Sequence, residues 1–284
     1  MEKPKLVIDG KRIDGRGMED LRPIKIKAGV LDKADGSAYV EWGNNKVMAA
    51  VYGPRECIPK HDANPYRALV RCTYRMSPFC SIEEHGKRGP SRRGTEISKI
   101  ISEVFENVVL AEYFPKTAID VFIEILQADG GTRVAGLTAA AVALADAGIP
   151  MKDLVCGVAG GKIDGQLAID FGKYEDNFGE SDIPMAVSPR TGEILLFQMD
   201  GLLTKEEISR IIDMGFAAIK KVHALQVEAL KERYIEKEKS GAVPPAQESA
   251  EEEDAEDVPA QAANPAPAAN STNEEVPNET QAEV

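Results

Sequence analysis

Between residues 24 and 76, apolar and polar positions alternate in short runs, the period-two signature of half-buried strands. Residues 24–30 form one such run. Residues 37–42 and 46–51 flank Gly43-Asn44-Asn45, a composition suited to a hairpin turn. Over residues 68–76, Leu69, Arg71, Thr73 and Arg75 fall on one face and Val70, Cys72, Tyr74 and Met76 on the other. After the basic, glycine-containing stretch HGKRGPSRRG (85–94) the period lengthens. Ile97, Ile100, Ile101, Val104, Phe105 and Val108 make a helical stripe, predicting a helix over 95–114 that Pro115 ends. Residues 118–126 return to strand. Gln127-Ala128-Asp129-Gly130-Gly131 then leads into a second helix over 132–147, in which only Arg133 and Asp146 are charged. A helix apolar nearly all round belongs between layers.

Two more hairpins follow. Residues 155–162 turn at Asp164-Gly165 into 167–170, and 185–188 turn at Thr191-Gly192 into 194–199. Thr204 with Glu207 three residues later is a capping box. The helix it opens runs without proline to about residue 239, roughly 50 Å at 1.5 Å per residue. Strands and helices come in blocks, not in regular alternation, so the expected class is α+β, layers of sheet and helix.

Charge divides the chain. Its 284 residues carry a formal net charge of −13. Residues 241–284 hold 11 acidic residues, no Lys or Arg, 6 prolines and no aromatic residue. Such a segment buries too little apolar surface to offset the entropy of ordering it, and is expected to be a disordered acidic tail. Residues 1–240 are then nearly neutral, with 34 basic against 36 acidic residues, and form the folded body. No apolar run approaches the roughly 20 residues of a membrane span, and the first residues lack an apolar signal core. Cys57, Cys72, Cys80 and Cys156 stand apart from one another, which suits a reducing cytoplasm better than a disulfide scaffold. Cys57, His61, Cys80 and His85 match no tight zinc spacing, so buried cysteines are the better account.

Arg93 and Arg133 stand in unfavourable places for a cation. With Ser91 as N-cap, Arg92 and Arg93 fall in the first turn of a helix, and Arg133 falls in the first turn of the next, just after Gly130-Gly131-Thr132. A cation at a helix N-terminus costs about 0.3–1 kcal/mol. An anion bound at the junction would offset that cost, with backbone N–H groups and a guanidinium as donors. Either arginine alone would equally pair with a carboxylate, Glu96 or Asp129. Both together, with Lys87, Arg88 and Arg92 alongside, favour an anion site. Residues 174–182 place four carboxylates, Glu175, Asp176, Glu180 and Asp182, in a short span. Alone this reads as a solvated acidic loop. Opposite bound phosphate, such a carboxylate gains roles as a general acid or a divalent-cation ligand.

Several motifs carry a resemblance: Arg12-Ile13-Asp14-Gly15-Arg16, Asp35-Gly36-Ser37-Ala38, Val51-Tyr52-Gly53-Pro54, Arg92-Arg93-Gly94-Thr95-Glu96-Ile97, Leu126 to Arg133, and Glu175-Asp176 with Glu180 and Asp182. In order and spacing they resemble the RNase PH family over about residues 3–238, and within it the catalytic branch found in archaeal exosomes. The resemblance implies a ribosomal-protein-S5-domain-2-like fold. It implies a phosphate-dependent 3′-to-5′ exoribonuclease that degrades single-stranded RNA to nucleoside diphosphates and in reverse adds heteropolymeric tails. The implied setting is a cytoplasmic hexameric ring of three heterodimers with a non-catalytic paralogue, topped by a trimer of RNA-binding cap proteins. By position, Arg93, Gly130, Gly131, Thr132 and Arg133 match the phosphate site. Thr132 stands where most relatives have serine, with the hydroxyl kept. Asp176 matches the catalytic aspartate, and Asp182 a neighbour linked, with Asp176, to a metal such as Mg²⁺ or Mn²⁺. Inorganic phosphate is the implied co-substrate. Lys60, Arg67, Arg71, Arg75 and Arg92 are candidates for holding the RNA backbone. The competing functions are a stand-alone enzyme trimming tRNA 3′ ends and a non-catalytic ring subunit.

Overall fold

The computed structural model describes residues 4–82 and 91–239. Lys87, Arg88, His85 and the acidic segment after residue 240 lie outside the described residues. A ribbon of β1 (Val7–Ile8) and β2 (Lys11–Arg12) precedes two five-stranded sheets. The first sheet contains β3 (Ile24–Ala28), β4 (Gly36–Trp42), β5 (Asn45–Glu56), β6 (Leu69–Met76) and β7 (Thr117–Gln127), in the order β3-β4-β5-β7-β6. All neighbours are antiparallel except β6 and β7, whose parallel ladder sets Arg71 beside Asp120 and Arg75 beside Glu124. The second sheet is β11-β10-β8-β9, built from β8 (Cys156–Ile163), β9 (Gln166–Ile169), β10 (Ser181–Ser188) and β11 (Glu193–Phe197), with β12 (Asp200–Gly201) also on β10.

Parallel pairing of β6 and β7 requires a crossover, and α1 (Arg92–Val108) lies within it. The helix also closes the free edge of β6. Backbone N–H groups of Cys72 and Tyr74 donate to Ser102 Oγ at 2.9 Å and Ser98 Oγ at 2.8 Å. The predicted extension of α1 to residue 114 is not found. The chain leaves the helix at Val109, which bridges to Met151, while Leu110 N donates to Pro150 O at 2.9 Å. Pairing with that segment displaces the last predicted turn, and a 3-10 turn covers Ala111–Tyr113.

The apolar helix α2 (Thr132–Asp146) sits between layers, against β4, β5 and β7 of one sheet and β8 of the other. Two glycines set how closely it packs. A Cβ on Gly36 would stand 2.3 Å from Ala143 O, and one on Gly157 would stand 2.9 Å from Val134 Cβ. The long helix α4 (Lys205–Lys239) opens with the predicted capping box, Glu207 N to Thr204 Oγ1 at 3.3 Å and Thr204 N to Glu207 Oε2 at 2.8 Å. It packs on β3, β8 and β9. Its fully buried Gln226 ties three elements together by donating to Thr138 O and Val155 O and receiving Cys156 Sγ.

Candidate active site

The glycine turn before α2 is the centre of the site. Gly130 and Gly131 both adopt left-handed backbone, φ +74° and +68°, which a β-carbon would strain. Gly131 is the N-cap and has no side chain to offer, so among the described residues no side chain caps the first-turn N–H groups of α2. Side chains from far along the chain fasten the turn instead. Asn45 Nδ2 donates to Gly130 O at 2.6 Å, and Asn45 Oδ1 accepts from Asp129 N at 2.5 Å. Arg22 Nη1 donates to Asp129 O at 2.6 Å. Thr132 is buried, and its hydroxyl oxygen accepts from Tyr74 OH at 2.8 Å.

Below the turn lies a buried ionic network. Arg22 pairs with Asp170 at 2.7 Å, and Trp42 Nε1 donates to the same carboxylate at 3.0 Å. Arg12, only 2% exposed, reaches Glu175 through Nε at 2.6 Å and through Nη2, and also donates to the carbonyls of Ile169 and Asp170. Glu175 belongs to α3 (Lys173–Phe178), a short helix where the sequence suggested a solvated loop. Its Oε2 caps that helix by accepting from Gly172 N at 2.8 Å. One member of the acidic cluster is therefore a buried anchor. A Cβ on Gly130 would stand 2.6 Å from Gly172 C, so the glycine turn rests directly on the start of α3.

That packing brings Asp176, the next residue on α3, to the N-terminus of α2. The Asp176 carboxyl is raised by burial, against the pull of Arg93, Arg133 and Arg22. Asp182 arrives from β10, a strand that begins four residues earlier than the sequence pattern suggested. Burial pushes the Asp182 carboxyl up to about 7, with Asp176 and Asp200 adding like charge while Arg133 and Arg93 oppose. Its Oδ1 is buried without a hydrogen-bond partner. Arg93 stands in the first turn of α1, where Ser91 accepts from Gly94 N at 2.9 Å as the N-cap. Among the described residues no carboxylate forms an ion pair with Arg93 or Arg133. Asp129, the pairing alternative for Arg133, instead accepts from Asn44 Nδ2 at 2.9 Å. Arg133 Nη1 donates to Gln198 Oε1, and its Nε is buried with no partner.

Two cations, two carboxylates and an uncapped helix end thus meet from α1, α2, α3 and β10. The nearby cavity of about 620 Å³, lined by Asp14, Arg16, Arg22, Asn44, Asp129 and Glu175 among others, is not this site. Both of its arginines are already paired, Arg16 with Asp14 and Arg22 with Asp170, and its Glu175 with Arg12.

Of the five RNA-backbone candidates, three are paired with carboxylates outside this cluster. Lys60 pairs with Glu56 at 2.8 Å, Arg67 with Glu106 at 3.5 Å, and Arg71 with Asp120 at 2.7 Å while also donating to Ile58 O. Arg75 faces Glu124 across the β6–β7 ladder, and Arg92 is exposed in the first turn of α1. None of the five pairs with Asp176 or Asp182. All four cysteines are free and buried, and His61 points outward toward Asp62. No group of three or more His, Cys, Asp or Glu gathers for a metal among the described residues.

Models of the 3′ exoribonuclease family match the chain in two consecutive stretches, domain 1 over residues 20–150 and domain 2 over 153–218. The chain belongs to the RNase PH family. Members of the family most similar in sequence include the exosome complex component Rrp41 of Thermococcus kodakarensis, 60% identical over 80% of this chain and 91% of the relative. The Pyrococcus abyssi and Thermoplasma acidophilum components of the same name are 56% and 54% identical, over 83% and 80% of this chain and 96% and 91% of theirs. Among solved RNase PH-like structures, rice Rrp46 aligns with a TM-score of 0.70 at 26% identity, over 78% of this chain and all of that one. An Archaeoglobus fulgidus exosome chain, solved with RNA bound to the active site, aligns with a TM-score of 0.65 at 24% identity, over 80% and 93% of the two chains. The α+β fold described above is the fold of this family.

Proposed function

We propose that this chain is the catalytic RNase PH-like subunit of an exosome, a phosphate-dependent 3′-to-5′ exoribonuclease acting on single-stranded RNA. The observation that carries the reading is the meeting of Arg93, Arg133, Asp176 and Asp182 at the uncapped start of α2, contributed by four separate elements. A non-catalytic ring subunit has no need of that arrangement. The relatives named as exosome components support a place in an exosome; the setting proposed for it is a cytoplasmic hexameric ring formed with a non-catalytic paralogue and capped by RNA-binding proteins.

Phosphorolysis brings two phosphoryl groups together, and their repulsion must be offset before attack. Arg93, Arg133 and the first-turn N–H groups of α2 hold inorganic phosphate and orient one oxygen toward the last phosphodiester. That oxygen bonds to phosphorus as the P–O3′ bond breaks. The raised carboxyl of Asp176 retains a proton more readily than an ordinary aspartate and donates it to the departing 3′ oxygen. The products are a nucleoside diphosphate and an RNA one nucleotide shorter. The same steps reversed extend RNA from nucleoside diphosphates. Asp182, joined by Asp176 once it has given up its proton, fits a divalent cation such as Mg²⁺ or Mn²⁺, because the two carboxyls share a buried site and Asp182 Oδ1 has no hydrogen-bond partner among the described residues. When bound, such an ion supplies positive charge at the scissile phosphate.

The test is phosphate-dependent release of nucleoside diphosphates from an oligoadenylate. Arg133→Glu and Asp176→Ala should each abolish it without changing the native mass of the assembly. Full activity in Asp176→Ala would refute the assignment.

A further inference from the structure

Arg133 is held from one side only. Its Nη1 donates to Gln198 Oε1, its Nε is buried with no partner, and no described carboxylate pairs with it. Gln198 lies between β11 and β12, and its own N–H donates to Pro184 O at 3.2 Å on β10. It is therefore fixed to the strand that carries Asp182. Two residues on, Asp200 stands opposite Asp182 in the β10–β12 ladder and adds to the negative field there.

We infer that Gln198 is a positioning residue for the attacking phosphate, acting through Arg133. The inference rests on the phosphorolytic reading above and deepens it. A guanidinium grips a phosphate best with two parallel N–H donors, and a long arginine side chain loses rotamer freedom when it does so. The amide oxygen of Gln198 occupies Nη1 and leaves the Nε edge, unpartnered among the described residues, for the anion. An uncharged acceptor suits this task. A carboxylate in its place would hold the arginine as firmly but cancel the charge that phosphate needs. The same arrangement explains why a buried Nε–H, which costs free energy when left unmade, persists at this point.

The experiment measures steady-state phosphorolysis by the full-length chain with its ring partner, with phosphate and RNA varied separately, and thermal unfolding alongside. Gln198→Met keeps the length of the side chain and removes the acceptor. Its KM for inorganic phosphate should rise about tenfold, with the KM for RNA and the unfolding temperature unchanged; a factor of ten is the scale of one lost orienting contact. Gln198→Glu should raise the phosphate KM further than Gln198→Met, because it neutralises Arg133. A wild-type phosphate KM in Gln198→Met, or equal losses for phosphate and RNA, would overturn the inference while leaving phosphorolysis standing. A wild-type protein that releases nucleotides without phosphate would instead overturn the functional reading, and this inference with it.

Discussion

Replacing Asp182 by asparagine removes a charge that the folded protein holds at a cost. Burial first, and the neighbouring Asp176 next, push this carboxyl from 3.8 up to about 7. At 1.36 kcal/mol for each tenfold change in proton affinity, that distance corresponds to a ceiling of about 4 kcal/mol. Relaxation and water entry lower the effective cost, and a gain of roughly 2 kcal/mol for Asp182→Asn in chelator near pH 8 is expected. The sign follows from proton binding. Below the ordinary carboxylate value, folded and unfolded chains both keep the proton, and Asp182 costs nothing. Between that value and about 7 only the folded chain keeps it, so wild-type stability falls as pH rises through this window. Above about 7 both are ionised and the full cost is present. Guanidinium unfolding of both proteins in chelator, at about pH 4 and about pH 8, reads the difference from the transition midpoints. The asparagine advantage should appear at the higher pH and vanish at the lower. Added Mg²⁺ should stabilise the wild type more than the variant. A variant less stable than wild type at alkaline pH, or an advantage independent of pH, would refute the reasoning.

Arg12→Met removes the closer of the two arginines beside buried Glu175, leaving Arg16 at 3.7 Å, and should cost about 3 kcal/mol in the same unfolding assay. Adding Glu175→Leu should recover part of that loss, whereas strictly additive losses would contradict the coupling. Gly130→Ala places a Cβ 2.6 Å from Gly172 C at φ +74°, and should lower activity at least tenfold in the phosphorolysis assay, since α3 and Asp176 must shift. Wild-type activity in that variant would contradict the direct seating of the glycine turn on α3.

Local signals made much of this legible. The capping box of α4, the alanine-rich pattern of α2 and the alternation on β6 each act within a few residues, so the chain states them directly. Arg93 and Arg133 were legible for the same reason, since their conflict with the helix ends is local. The structure then set α3 and β10 against them. What the sequence hid is what distance makes. Arg12 meets Glu175 across 163 positions and Arg22 meets Asp170 across 148, and neither pair has a local pattern. Glu175 and Asp176 are adjacent and chemically alike, yet one is a buried anchor and the other faces the arginines. Asp182 looked like part of a solvated loop because its strand places a carboxylate where strands usually bury apolar groups. Gln198 gave no signal, because its only distinction is a contact with a helix 65 positions away.

The most direct test supplies an oligoadenylate and radiolabelled inorganic phosphate to the full-length chain with its ring partner, and identifies the released nucleotide. If Arg93, Arg133 and the first turn of α2 hold the attacking phosphate, the label appears in the β-position of adenosine diphosphate, and omission of phosphate stops release. Unlabelled adenosine monophosphate, formed at the same rate without phosphate, would mean that water is the nucleophile and would contradict the account.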